Sequence, residues 1–343
     1  MGLFNFFIQE LAVDLGTANT LIMQDGKVVV DEPSIVAIDK KTGETIAVGN
    51  KAMQMHEKTH RNIETVRPLK DGVIADFQAA ENMIQGMIQM IGTKRKFFTH
   101  LRMVICIPSG ITEVEKRAVF DSADHVDSKE TYLIHEPMAA ALGIGLDVEE
   151  PIGNMVIDIG GGTTEIAVIA LSGIVCDQSI RVAGDEFTED IIDYMRREHN
   201  LLIGERTAEK IKINVGSAIQ NLENPPEPYA VNGRDLMTGI PRQIMIRYEE
   251  TVGALDKSIM KIEEAVLKAL EMTPPELASD IYRTGLYLTG GGALLRGLDK
   301  RLSLKTHLPV IVADDPLRAV VRGTGIALNN THRFSFLIDR KSL

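Results

Sequence analysis

The strongest constraint on this chain is a pattern that it contains twice. Leu11-Ala12-Val13-Asp14-Leu15-Gly16-Thr17-Ala18-Asn19-Thr20-Leu21-Ile22-Met23 runs from one apolar stretch through Asp-x-Gly into another, then through Asp25-Gly26 into Val28-Val29-Val30. Met155-Val156-Ile157-Asp158-Ile159-Gly160-Gly161-Gly162-Thr163-Thr164-Glu165-Ile166-Ala167-Val168-Ile169 repeats it and passes Ser172-Gly173 into Ile174-Val175-Cys176. Each copy reads as strand, tight polar turn, strand, turn, strand. The aspartates lie 144 residues apart, about the size of one domain. The 343 residues suit about two domains. The expected fold is α/β, with two related domains facing each other across a cleft.

The turns carry a specific chemistry. Glycine lets the backbone turn sharply and brings consecutive N–H groups close to a ligand. Thr17, Asn19 and Thr163 add hydrogen-bonding groups. A strand-end aspartate can hold a hydrated cation. One hairpin from each domain would clamp a triphosphate with its magnesium. A single copy would fit a plain strand-joining turn equally well; two copies in matching context favour a functional pair. A third glycine turn, Gly290-Gly291-Gly292 followed by Ala293-Leu294, comes after the strand Leu286-Tyr287-Leu288-Thr289. It lacks the Rossmann spacing, and no P-loop motif occurs.

Composition excludes several classes. With 44% hydrophobic and 25% charged residues, the chain is neither disordered nor collagen-like. Its net charge of −11 argues against nucleic acid as a partner. Cys106 and Cys176 sit in apolar runs and read as buried thiols, not as a disulfide or zinc framework. No apolar run reaches the roughly 18 residues of a membrane span, and the N-terminus lacks a signal-peptide pattern, so a cytoplasmic protein is expected.

Between and after the copies, the periodicity predicts helices over 79–90, 112–125, 185–199, 205–217 and 249–270. Met83, Met87 and Met90 form a core stripe on the first of these. Glu136 precedes Pro137 at a helix start, where the dipole favours an ionised carboxylate; helix cap and catalytic group fit it about equally. Glu209 and Lys212 read most simply as an i,i+3 surface pair.

The phosphate-type turns and the Thr289-Gly290-Gly291-Gly292 turn together resemble the actin-like ATPase superfamily. Asp14-Leu15-Gly16-Thr17-Ala18-Asn19-Thr20, Asp71-Gly72-Val73-Ile74-Ala75-Asp76-Phe77, Glu136-Pro137-Met138-Ala139-Ala140-Ala141 and Thr289-Gly290-Gly291-Gly292-Ala293-Leu294-Leu295-Arg296-Gly297 are similar to the bacterial MreB family. The similarity extends over about residues 11–328. It implies an actin-like fold with a smaller subdomain inserted in each half. Subdomain IA would be 1–31, 66–147 and 315–343, and IB 32–65. IIA would be 148–180 and 248–314, and IIB 181–247.

The resemblance implies ATP and magnesium as cofactors. Gly16, Thr17, Ala18 and Asn19 would form the first phosphate loop, and Gly160, Gly161 and Gly162 the second. Glu209, Lys210, Ile211 and Lys212 would border ribose and adenine, with Gly290, Gly291, Gly292, Ala293 and Leu294 behind the adenosine. Asp14 and Asp158 would hold magnesium through water, and Glu136, helped by Thr163, would orient the attacking water. Hydrolysis would be slow, since no arginine is supplied in trans. The implied assembly is a homopolymer of paired antiparallel protofilaments on the inner face of the cytoplasmic membrane, working with the cell-wall elongation machinery to maintain rod shape.

Two segments suit a lipid surface. In residues 1–11, a helix would place Leu3, Phe4, Phe7, Ile8 and Leu11 on one face. In Lys94-Arg95-Lys96-Phe97-Phe98, cations flank an aromatic pair, which matches the family's membrane-insertion loop. Packing against the body is the alternative for both. The tail Arg333–Lys341 carries no motif of the family and reads as a contact or a frayed end. Other members of the superfamily are chaperone-type ATPases, which would need a further substrate domain, and small-molecule kinases, which would need a base for a substrate hydroxyl.

Overall fold

The computed structural model describes residues 8–92, 100–126, 128–335 and 338–340. The first repeat folds as a meander of β1 (Ile8–Leu15), β2 (Asn19–Gln24) and β3 (Lys27–Pro33). A satellite follows, built from β4 (Val36–Asp39), β5 (Thr45–Val48), α1 (Asn50–Met55) and β6 (Ile63–Val66) around Ile35, Ala37 and Ala52. The ribbon β7 (Leu69–Lys70) and β8 (Val73–Ile74) leads to α2 (Phe77–Met90), β9 (His100–Ile107), α3 (Glu113–His125), β10 (Ser128–His135) and α4 (Glu136–Gly143).

The second repeat forms β11 (Asn154–Ile159), β12 (Thr164–Ala170) and β13 (Gly173–Ile180). Then come α5 (Gly184–His199), β14 (Leu201–Leu202), α6 (Glu205–Val215), β15 (Tyr229–Asp235) and β16 (Pro241–Ile246). The chain continues through α7 (Tyr248–Met272), α8 (Pro275–Thr284), β17 (Leu286–Thr289), α9 (Leu298–Thr306), β18 (Val310–Val312), α10 (Ala319–Asn329) and β19 (Ile338–Arg340).

The repeat is a repeat of topology. One sheet contains the order β10-β9-β1-β2-β3 and the other β18-β17-β11-β12-β13, so the strands correspond one to one. Orientations match as well: β1 runs parallel to β9 and antiparallel to β2, as β11 runs parallel to β17 and antiparallel to β12. Every residue of β11 and β12 is buried, the signature of strands covered on both faces. Helices α4 and α10 fill the seam between the sheets. Met138 and Ala139 to Ala141 pack with Val320 and Val321 against Ala12 and Val104 of one sheet and Val156 and Ala167 of the other.

Local signals set the helix ends. Asp76 caps α2 by accepting from the Ala79 N–H at 3.0 Å. Thr112 and Glu115 form a reciprocal capping box at the start of α3. Met83 and Met87 lie in the core, but Met90 is 47% exposed; the stripe runs Ile84, Met87, Ile88, Ile91, one residue away from Met90.

Two terminal expectations change. Ile8 and Leu11 lie in β1, with Ile8 opposite His100 and Leu11 fully buried, so an interfacial helix cannot extend through them. Strand pairing with β9 satisfies their backbone and the core takes the Leu11 side chain. Leu3, Phe4, Phe7, Phe97 and Phe98 lie outside the described residues. The tail is not frayed over 338–340. It adds an edge strand to β10, anchored by buried Phe334 and Ile338 and by Lys116–Asp339 at 2.8 Å.

Candidate functional site

The two Asp-x-Gly turns meet at the ends of β1 and β11. A Cβ on Gly161 would lie 2.7 Å from the Ala18 Cβ and 2.9 Å from its nitrogen. One on Gly162 would lie 2.8 Å from Thr17 Oγ1. The hairpins therefore approach each other to a distance only glycine permits on the second one. Each is pinned from behind. The Ser34 hydroxyl donates to the Gly16 carbonyl at 2.6 Å, and the Gly72 N–H donates to Thr17 Oγ1 at 3.0 Å. The Gly184 and Asp185 amides at the start of α5 donate to the Gly160 and Gly161 carbonyls at 3.1 and 2.8 Å.

A cavity of about 650 Å³ opens over these turns. It is lined by Asp14, Gly16 to Asn19, Glu136, Asp158, Gly160 to Thr163, Glu209, Lys210, Lys212, Gly290 to Gly292 and Leu294. Ile211 and Ala293 are buried in the neighbouring core and do not line it. On α6 the face that turns Glu209, Lys210 and Lys212 to the cavity sends Ile211 to the opposite side. Glu209 and Lys212 form the expected pair at 2.6 Å, but they are not a free surface pair. Lys212 also donates to the Gly184 carbonyl at 2.7 Å, and Thr188 donates to Glu209 at 2.9 Å, tying α6 to α5.

The floor is acidic. Burial raises Asp14 to about 6 and Asp158 to about 7. The Cys106 thiol donates to Asp14 Oδ1 at 3.2 Å, and the Thr289 hydroxyl to Asp158 Oδ1 at 2.8 Å. Burial, then the charges of Asp14 and Glu136, push the thiol well above its ordinary value, so sulfur keeps its proton and donates. Glu136 is the first residue of α4. Burial and the neighbouring Glu165, Asp158 and Asp14 raise it well above the usual carboxylate range. Desolvation and three like charges therefore oppose the helix dipole, which favours the ionised form by about 0.3–1 kcal/mol.

Sequence reasoning missed two features of the cleft. Glu165 is fully buried; it accepts from the Ser179 hydroxyl at 2.6 Å and the Ser109 N–H at 3.0 Å, joining the two halves beneath Glu136. A lone charge inside the otherwise apolar β12 was the available signal. The second feature is a polar bridge across the cavity. Glu205, opening α6, accepts from Arg67 and pairs with His56 at 3.1 Å, and its own N–H donates to Glu57 at 3.0 Å. Thr65 holds the other His56 nitrogen at 2.8 Å. Residues about 140–150 positions apart left no pattern for sequence reading to find.

Paired α/β cores, each ending a strand in an aspartate and a glycine hairpin at one shared cleft, define an actin-like fold. The chain matches the MreB/Mbl protein family over residues 8–335 and belongs to that family. Among its relatives, the cell shape-determining protein MreB of Escherichia coli K12 is 49% identical over 327 residues, covering 94% of each chain. The cell shape-determining protein Mbl of Bacillus subtilis strain 168 is 46% identical over 325 residues, 94% of this chain and 97% of that one. The crystal structure of MreB5 of Spiroplasma citri bound to ADP superposes with a TM-score of 0.89 at 39% identity, covering 95% and 97% of the two chains. Its AMPPNP complex gives 0.88 at 40%, with the same coverage.

Proposed function

We propose that this chain is an ATP-dependent, membrane-associated filament protein that organises cell-wall elongation and maintains rod shape. The observation that carries this reading is the meeting of the two glycine hairpins above the Asp14–Asp158 pair. ADP and AMPPNP in the similar MreB5 support a nucleotide in the same cleft. Gly16 to Asn19 and Gly160 to Gly162 hold the phosphates; Glu209, Lys210 and Lys212 border the ribose and base; Gly290 to Gly292 and Leu294 lie behind the adenosine.

The acidic pair fits magnesium. Both carboxylates line the cavity beside the glycine hairpins, and burial raises both. Two carboxylates plus phosphate oxygens and water is the usual way a protein holds that ion. When bound, magnesium neutralises phosphate charge. Glu136, with Thr163, orients the attacking water and accepts its proton, and hydrolysis is slow.

Two expected results follow from this arrangement. The magnesium-dependent part of nucleotide affinity should rise as pH climbs through 6 to 7, the window in which Asp14 and Asp158 give up their protons. The sign for the empty cleft is opposite. The raised values contribute stability below the ordinary carboxylate range that is lost as pH rises through 6 to 7. Calorimetry in buffers of different ionisation enthalpy counts the protons released. An affinity flat across that window would remove the pair from cation binding.

The Glu205 bridge should slow nucleotide exchange. Glu205→Ala is expected to speed ADP release about 5- to 10-fold, the effect of losing a small ion-pair network worth about 1 kcal/mol. Stopped-flow displacement of labelled ADP reads this directly, and an unchanged rate would leave the bridge without a gating role.

Membrane association is proposed through Leu3, Phe4 and Phe7 together with Phe97 and Phe98. In support, the strands that these segments lead into lie side by side and parallel, with Ile8 opposite His100. The test is electron microscopy and pelleting with anionic vesicles, with ATP, with ADP and without nucleotide. Paired antiparallel filaments on lipid are expected, and removal of residues 2–7 with Phe97→Ala and Phe98→Ala should abolish pelleting while leaving β1 intact. Single particles that hydrolyse ATP in every condition would instead favour a chaperone-type or small-molecule kinase ATPase.

A further inference from the structure

The topological repeat extends one layer behind the aspartates. In the first half, parallel pairing of β1 with β9 sets Val13 opposite Ile105, so the next residues along the two strands are Asp14 and Cys106. In the second half, pairing of β11 with β17 sets Asp158 opposite Thr289. The two donors therefore occupy equivalent places, each on the parallel neighbour of the aspartate-bearing strand and each one strand inward from β10 or β18. Cys106 is 2% exposed and Thr289 is fully buried.

Each donor bonds one oxygen of its aspartate: Cys106 Sγ to Asp14 Oδ1 at 3.2 Å, and Thr289 Oγ1 to Asp158 Oδ1 at 2.8 Å. No hydrogen bond to either Oδ2 is found among the described residues, and both aspartates line the cavity. A carboxylate fixed through one oxygen by a group on a rigid neighbouring strand presents its other oxygen in one orientation. Outer partners of this kind orient metal-binding carboxylates and tune their affinity. The chemistry is the same in both halves although the residues differ, a thiol in one and a hydroxyl in the other. No local sequence motif links either donor to its aspartate.

We infer that Cys106 and Thr289 are a symmetry-related pair of positioning residues that aim the free oxygens of Asp14 and Asp158 at a divalent cation shared with the nucleotide. The inference rests on the magnesium–nucleotide reading of the cleft. It assigns the two buried donors to cation affinity, separate from the hairpin amides that hold phosphate.

The test is calorimetric titration of ADP into the full chain, with magnesium varied and with EDTA. Cys106→Ala and Thr289→Val remove the donors; Cys106→Ser and Thr289→Ser restore a hydroxyl. Each removal is expected to raise the magnesium needed for half-maximal tightening about tenfold, the low end for an outer partner because water intervenes. Affinity in EDTA should stay unchanged, and each serine variant should recover most of the loss. Cys106→Ala deletes one atom, and its melting curve without ligand checks the fold, so that half of the test stands even where Thr289→Val does not fold. Equal weakening with and without magnesium, no change, or serine variants no better than alanine and valine would overturn the inference. If the unaltered protein binds ADP identically in EDTA and in magnesium, the cation reading of the cleft fails first.

Discussion

Glu136→Ala is expected to cut phosphate release by about 10²–10³-fold while leaving ADP affinity within about a factor of two. Glu136 lies at the floor of the cavity, at the first position of α4, and the hairpins that would hold phosphate are pinned by Ser34, Gly72, Gly184 and Asp185 instead. Binding and turnover should therefore separate. Burial and the neighbouring Glu165, Asp158 and Asp14 raise Glu136 well above the usual carboxylate range. Asp14 and Asp158 would hold the cation, whose charge would offset theirs and favour the ionised Glu136 needed to accept a proton from water. Glu136→Gln, which keeps shape but cannot take up that proton, should behave like the alanine variant. The readout is single-turnover phosphate release at saturating ATP, with ADP affinity alongside. Turnover like that of the unaltered protein would remove Glu136 from catalysis.

The largest stability effect is expected at the crossing of α4 and α10. Ala139-x-x-x-Gly143 on one helix faces Ala319-x-x-x-Gly323 on the other. A Cβ on Gly143 would lie 1.8 Å from the Ala319 carbonyl oxygen, and one on Gly323 1.7 Å from that of Ala139. The backbones are in direct contact, so no side chain can turn aside to make room. Gly323→Ala should force the helices apart and cost about 3 kcal/mol or more, since these helices join both sheets. Gly253→Ala is the control, at a mid-helix glycine of α7 with nothing within 4 Å of the added carbon. It should stabilise by about 0.5–1 kcal/mol. Urea midpoints compare the two, and equal midpoints would show that the crossing gives way cheaply.

The parts of the cleft legible in the sequence share one property: each is local. The two Asp-x-Gly turns at strand ends and the glycine turn after β17 are matters of turn chemistry, which a few consecutive residues record; on α2 the same kind of reading placed Met83 and Met87 in the core but missed that Met90 is exposed. The resemblance carried Ile211 and Ala293 to the nucleotide together with their neighbours, but packing turns both side chains into the core. At the N-terminus an apolar run that suits one face of a helix suits a buried strand equally. The choice for Ile8 and Leu11 fell to pairing with β9, about 90 residues away.

The amino-acid sequence by itself determined that two copies of one strand–turn–strand core would face each other, with an aspartate at each turn, one glycine in the first and three in the second. Backbone conformation and amphipathicity are written in neighbouring residues. Only the tertiary structure decided that Cys106 and Thr289 stand behind the aspartates, that Glu165 lies beneath Glu136, and that Arg67 and His56 reach Glu205. Those contacts join residues dozens to more than a hundred positions apart, and their energies depend on distance and burial, which exist only once the two sheets have closed on α4 and α10.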